Sequence, residues 1–318
     1  MDAVAVRAPA HLHAGNMDLS GDLGRLFGTV GFAIDIPVEV EVRRAEGVSA
    51  NDRHAERFAR ALVGRYGLPG LAIRVLRRVP EYSGMGYLTT LALSIGIGAS
   101  ELYGLGLSIE ELALSLGRGA LTALGTYAVK LGGFIVEGGF RVGELGKRVP
   151  PLLFRGEVPG SWLFVIAVPE GPRKRIARMR EEREGEILSR LKKMDPGLSS
   201  RLCRLVLMKM LPAFVERDLR AFAEALTEFN AALGDFWAEY QGGRYCDPLV
   251  EEGIRLLIDE LGCGCQSSWG PAFYGITDDH ERARRAAERL RRLLDGAGGG
   301  DVYLARASNR GAAVERLR

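Results

Sequence analysis

Val38-Glu39-Val40-Glu41-Val42 alternates apolar and charged residues with the period of two that lays one face of a strand on a core. Residues 4–8 read as an earlier strand stopped by Pro9, and the apolar stretch 29–36 as another that ends at Pro37. The period then lengthens. After Asn51 and Asp52, either of which can cap a helix, Ala55, Phe58, Ala59, Leu62, Val63 and Tyr66 recur at three- and four-residue steps, the stripe of an amphipathic helix. A strand over 71–79 leads into a glycine-punctuated turn. Residues 89–103 follow, apolar or small on every side, which predicts a helix buried between layers. Ser108-Ile109-Glu110-Glu111 is a capping box for the next helix, and Phe134-Ile135-Val136 is a short strand. The order β-β-β-α-β-α-α-β is α+β in character.

The proline and glycine cluster Pro150, Pro151, Gly156, Pro159 and Gly160 predicts a boundary, with domains over 1–155 and 156–318. Beyond it, 162–168 reads as a strand and the charge-dense segment 173–193 as a solvated helix face. Leu219, Phe222, Ala223, Leu226, Phe229, Leu233 and Trp237 form one stripe of a long helix. Asp247-Pro248 is an N-cap followed by proline at the first helical position, and Gly262 closes that helix. An arginine-rich helix near 279–294 precedes a strand over 302–307 that is expected to end the fold.

Composition narrows the function more than the fold. The 318 residues are 47% hydrophobic and 26% charged, enough for a full core, and a net charge of +3 is too mild for a dedicated nucleic-acid binder. No uninterrupted apolar run of membrane-spanning length occurs and the N-terminus has no signal-peptide core, so the chain reads as cytoplasmic, with no membrane partner. The four cysteines form no CxxC pair, and Cys263-Gly264-Cys265 has the wrong spacing for a zinc knuckle, which favours structural thiols.

The turn Pro80-Glu81-Tyr82-Ser83-Gly84-Met85-Gly86-Tyr87-Leu88-Thr89-Thr90 has the layout of a phosphate cradle, with glycines that admit an anion and a helix N-terminus to face it. It is neither a Walker loop nor a dinucleotide fingerprint, and a plain connection would read the same way.

Two distant blocks accompany it, the segment from Gly119 to Gly133 and Gly264-Cys265-Gln266-Ser267-Ser268-Trp269-Gly270-Pro271. Together the three resemble the superfamily of galactokinase, homoserine kinase and mevalonate kinase. Within it the chain looks most like the archaeal β-ribofuranosylaminobenzene 5′-phosphate synthases. The stretches that carry the likeness, between about residues 4 and 310, are Leu12-His13…Asp18-Leu19-Ser20-Gly21, Gly31-Phe32-Ala33-Ile34-Asp35, Gly132-Gly133-Phe134-Ile135-Val136-Glu137-Gly138-Gly139 and the Gln266–Pro271 block.

The resemblance implies a two-domain α+β fold, with a left-handed βαβ unit in the N-terminal domain, a ferredoxin-like C-terminal domain and the site between them. It implies condensation of phosphoribosyl pyrophosphate with 4-aminobenzoate or a related aromatic acid, releasing pyrophosphate and CO2, in methanopterin-type cofactor synthesis. It further implies Mg²⁺ and a homodimer. Carried onto this sequence, Glu137, His13 and Asp18 are the candidate catalytic residues, with Glu137 or Asp18 holding Mg²⁺. Gly84, Met85, Gly86, Thr89, Thr90, Lys130, Gly132, Gly133, Gln266, Ser267, Ser268 and Trp269 are the candidate phosphate and substrate contacts.

Each has a plainer reading. His13 could hydrogen-bond in the core, Glu137 could cap a turn, Lys130 could be a surface residue, Gln266-Ser267-Ser268 could satisfy a buried loop, and Trp269 could pack.

Kinases of the superfamily typically carry Gly-x-x-Ser-Gly-x-Asp before a glycine pair, whereas this chain reads Gly119-Ala120-Leu121-Thr122-Ala123-Leu124-Gly125. The carboxylate position is Gly125, and without that group phosphoryl transfer loses a main positioning element. Tyr87 and Leu88 also replace the family's usual serine and glycine, and His11 its arginine. A kinase using another carboxylate, or a non-catalytic ligand-binding relative, are the alternatives.

Overall fold

The structure is a computed structural model that describes residues 2–317, with the side chains of 180–184 set aside. Two long strands dominate the first half, β1 (Ala3–Asp18) and β2 (Arg25–Arg44), paired antiparallel along nearly their whole length. Both run through the prolines that were expected to stop them. Pro9 faces Pro37 at a register shift, so the missing N–H groups fall where the ladder is already interrupted.

β3 (Gly47–Ala50), helix α1 (Arg53–Tyr66) and β4 (Gly70–Arg77) form a parallel βαβ unit on the far side of β2. Asp52 caps α1 by accepting from the amides of His54 and Ala55. Helix α2 (Tyr87–Tyr103) is buried on nearly every side, as its composition predicts. Gly98 lets it lie on the sheet, since a Cβ there would come 2.5 Å from Val42 Cγ2. Helix α3 (Ile109–Ser115) opens on the capping box, and α4 (Leu124–Leu131), β5 (Phe134–Glu137), β6 (Phe140–Arg141) and β7 (Leu152–Gly156) complete this half.

Strand β8 (Leu163–Pro169) starts a second sheet. It is followed by α5 (Glu170–Ser189), α6 (Pro196–Leu205), a π-helical turn (Val206–Met210), α7 (Leu211–Glu216), α8 (Leu219–Gln241) and α9 (Pro248–Leu261). Then come β9 (Cys265–Gln266), β10 (Phe273–Thr277), α10 (His280–Gly296), β11 (Gly300–Arg306) and β12 (Ala313–Leu317). The second sheet has the antiparallel order β11-β8-β10-β9. The charge-dense segment 173–193 falls largely on α5, and its side chains at 180–184 lie outside the described residues.

The fold does not end at β11. β12 returns to the first sheet and pairs antiparallel with the start of β1, so residues 313–317 lie with the N-terminal strands rather than with 156–312. One core joins the two halves: Phe32 of β2 stacks at 5.0 Å on Phe134 of β5 and meets Phe164 of β8 at 5.2 Å and Phe222 of α8 at 6.0 Å. Among the described residues no helix is long and apolar enough to cross a membrane.

Tyr87, which takes the family's serine position, is buried in this frame and donates its hydroxyl to Asp52 Oδ2 at 3.0 Å. Burial, with the adjacent Asp52 charge, raises the phenol and keeps it a donor. The residue thus ties the start of α2 to the cap of α1. Tyr87→Phe should lower unfolding free energy by about 1–2 kcal/mol, the cost of a buried acceptor losing one partner. Urea denaturation at pH 7 would measure it, and an unchanged midpoint would remove this role.

Candidate functional site

A cavity of about 330 Å³ opens between the two halves, walled by the middle of β1, the loop 117–122 before α4, one face of α8 and the loop 266–269 after β9. Gly15 brings β1 close against α8, because a Cβ there would strike Phe229 and Leu233. Asn230 of α8 stitches the wall: its Nδ2 donates to the carbonyls of Ala14 at 2.7 Å and Gln266 at 2.9 Å, and its Oδ1 accepts from the Gln266 amide.

The glycine turn does not face this cavity as an open cradle. A Cβ on Gly86 would fall inside the His11 imidazole, and one on Gly84 would meet the carbonyl of Ser267. The α2 N-terminus has Gly86 as its cap and no side-chain acceptor, and the His11 ring packs there. Gly125 completes the fit: a Cβ at that position would lie 2.7 Å from both His11 Cε1 and Thr89 Cγ2. The aspartate that the kinases carry at this register would therefore collide with His11.

Of the residues singled out in the sequence, His13, Thr89, Gln266, Ser268 and Trp269 line the cavity. Gly84, Met85, Gly86, Thr90 and Ser267 lie behind it. Ser267 is a clamp, accepting from the His13 amide at 2.9 Å and donating to the Gly84 carbonyl at 2.8 Å. Thr90 is buried, its hydroxyl directed at the Pro9 carbonyl. Gln266 lines the wall with its amide committed: Oε1 accepts from the Cys246 amide, and Nε2 donates to Gln241 and Ser268.

Five further candidates lie outside the cavity lining. Gly132 and Gly133 do not reach the cavity, because their missing side chains make room for the 308–310 backbone and, at Gly133, for the Gly156 carbonyl. Lys130 points elsewhere and pairs with Glu110 at 2.6 Å. Glu137 is fully buried behind the cavity wall, accepting from the amides of Gly139 at 2.6 Å and Ala123 at 3.4 Å. Its burial pushes the carboxyl above the usual range despite those bonds. Asp18 does not line the cavity either. Burial would raise its carboxyl, but bonds from the hydroxyls of Ser20 and Ser199 and the Ser20 amide hold it below the usual range.

Glu137 is thus committed to backbone donors, while the bonds from Ser20 and Ser199 all fall on Asp18 Oδ1. No group of three or more His, Cys, Asp or Glu among the described residues is arranged to hold a metal ion. Glu137, enclosed by protein with its carboxyl raised, does not fit Mg²⁺ in this arrangement.

Sequence reasoning overlooked Arg118, Asn230 and Trp237, and noted His11 only as a departure. Two of them carried a signal. Arg118 stands between two glycines of positive φ, Gly117 and Gly119, and Asn230 interrupts the apolar stripe of α8. Arg118 donates to Thr89 Oγ1 at 2.8 and 3.0 Å and supplies positive charge to the cavity. Burial, then the nearby His13 and Arg118, push the His11 imidazole down to about 3, and burial pushes His13 down to about 4. Both imidazoles are neutral at pH 7, and the Nδ1 atom of each is buried without a hydrogen-bond partner.

Comparison with known proteins identifies relatives of this chain. Residues 210–296 match the family described as GHMP kinases C terminal. The chain is 31% identical over 289 residues to the beta-ribofuranosylphenol 5′-phosphate synthase of Archaeoglobus fulgidus, covering 86% of this chain and 88% of that one. It is 30% identical over 335 residues to the Methanothermobacter thermautotrophicus protein of the same name, covering 96% and 97%. Solved structures with the same fold include a homoserine kinase from Cytophaga hutchinsonii, with a TM-score of 0.66, 14% identity and coverage of 99% and 98%. The Methanococcus jannaschii mevalonate kinase has a TM-score of 0.68, 12% identity and coverage of 96% and 98%. At such identities the kinases establish the fold alone.

Proposed function

Because the chain belongs to the family of the beta-ribofuranosylphenol 5′-phosphate synthases, we propose that it joins the ribose of phosphoribosyl pyrophosphate to an aromatic acid, 4-aminobenzoate or its 4-hydroxy counterpart. The ring carbon bearing the carboxylate attacks the anomeric carbon, and pyrophosphate leaves with the electron pair of the broken C–O bond. The bond to the carboxylate then breaks, CO2 departs, and its electrons restore the aromatic ring. The curated relatives are named for a phenol, which adds the hydroxy acid to the amino acid expected from the sequence. The proposal extends to a cytoplasmic homodimer feeding methanopterin-type cofactor synthesis, as the family implies.

The observation that carries the reading is the His11 ring packed between Gly86 and Gly125. It leaves no space for the kinase carboxylate, and phosphoribosyl transfer to carbon has no hydroxyl nucleophile for such a group to position. What the reaction asks for is stabilisation of the departing pyrophosphate, and Arg118 with the backbone of its glycine-flanked loop supports that role. Neutral imidazoles suit the other half of the reaction. A charged histidine beside the acceptor carboxylate would stabilise it as an ion pair and oppose its loss as CO2.

Incubation with phosphoribosyl pyrophosphate, Mg²⁺ and carboxyl-labelled 4-hydroxybenzoate or 4-aminobenzoate should release pyrophosphate and labelled CO2 in equal amounts. ATP turnover with an alcohol, in place of either release, would instead establish a kinase.

A further inference from the structure

Resting on the synthase reading, we infer that the cavity is divided, with the Arg118 end taking the phosphorylated ribose and a neutral end formed by Trp237 and Trp269 taking the aromatic ring of the acceptor. The chain has three tryptophans, and they are placed differently. Trp162 is sealed in the phenylalanine core. Trp237 and Trp269 are only partly buried, meet edge to face at 4.8 Å, and both line the cavity. Two large apolar rings left facing a void lose the burial that would stabilise them in a core, and a flat aromatic ligand restores it with ring-to-ring contacts.

The polar groups at the tryptophan end are already engaged. The arginine beside the tryptophans, Arg244, is held by both oxygens of Asp235 at 2.7 and 3.2 Å, so its charge is compensated. Gln266 has both ends of its amide committed to protein partners. A pyrophosphate placed here would find a compensated cation and spent donors, whereas an uncharged ring loses nothing by desolvation. At the other end Arg118 donates to Thr89, and beside it Gly117 has open space where its Cβ would be. His11 and His13 also line the cavity, and His13 is tied by its backbone to Ser267 and Ser268 of the tryptophan-bearing loop.

The test reads the ends separately on the full-length chain. 4-Hydroxybenzoate is titrated against tryptophan emission, with and without inorganic pyrophosphate, and steady-state KM is measured for both substrates. Quenching should appear in the wild type and in Trp162→Phe. Trp237→Ala and Trp269→Ala should each weaken the aromatic acid about tenfold while moving the phosphoribosyl pyrophosphate KM less than about twofold. Arg118→Gln should do the reverse, raising that KM about tenfold or more with the aromatic Kd nearly unchanged.

Trp237→Phe, which keeps an aromatic face, should fold as the wild type does and show an intermediate loss. The division is overturned if the tryptophan variants raise both KM values equally, or if 4-hydroxybenzoate quenches no emission under either condition. Failure of the synthase reading looks different: no pyrophosphate or CO2 release from the wild type with any aromatic acid, while the quenching titration still reports on the tryptophan end.

Discussion

Gly86→Ala should destabilise the protein by about 3 kcal/mol or more, which urea denaturation would record as a large fall in midpoint. Two effects add. Gly86 has φ of +75°, where an L side chain carries a strain of about 1 kcal/mol or more. Its Cβ would also occupy the space of the His11 ring, which Gly125 confines on one side and which would have to swing toward the cavity. Adding His11→Ala should recover the steric part and leave the backbone part, a coupling of about 2 kcal/mol in a double-mutant cycle. An anion cradle predicts another pattern: only the backbone part of the stability loss, lost phosphoribosyl pyrophosphate binding, and no recovery from the second substitution. Additive stabilities in the cycle would sink the packing account.

Local chemistry was legible in the sequence wherever the structure needed only neighbours. Asp52, Ser108, Asp247 and Gly262 cap the helices their positions predicted, because a cap is satisfied within four residues. The buried character of α2 followed from its composition in the same way. What failed were features decided at long range. Pro9 and Pro37 look like stops when read singly, and only their facing each other across a register shift lets both strands continue. β12 carries no buried face that a period could reveal, since four of its five residues are exposed, and it exists because the start of β1 offers a free edge.

The site divides along the same line. The glycine turn and the Gln266–Pro271 block were recognised as belonging together, and they are joined: the Ser267 hydroxyl donates to the Gly84 carbonyl, and the Ala272 amide to the Ser83 carbonyl. What the glycines face was not legible, because an absent side chain does not say what fills its place. At Gly84 and Gly86 it is the protein's own loop and His11, and at Gly132 the passing backbone of 308–310.

The neutral imidazoles make the second large prediction, a loss of stability in mild acid. The ordinary histidine value is 6.5, and the native protein holds His11 at about 3 and His13 at about 4. The unfolded chain therefore binds more protons than the native one between those limits, and stability rises with pH through the window. It is fully present above pH 6.5 and falls as the unfolded chain takes up protons the folded site refuses. Between pH 7 and pH 5 each imidazole should withdraw about 2 kcal/mol, or about 4 kcal/mol for the pair. Glu137 acts in the opposite sense, because a raised carboxyl favours the native state as pH falls, so the histidine contribution has to be isolated by difference. Urea titrations at pH 7 and pH 5 on the wild type and on the double variant His11→Gln/His13→Gln provide that difference, with Glu137 common to both. The double variant should lose about 4 kcal/mol less across the interval. Equal losses in the two proteins would mean that the imidazoles gain protons in the folded state, and that the cavity is wetter and more polar than its packing implies.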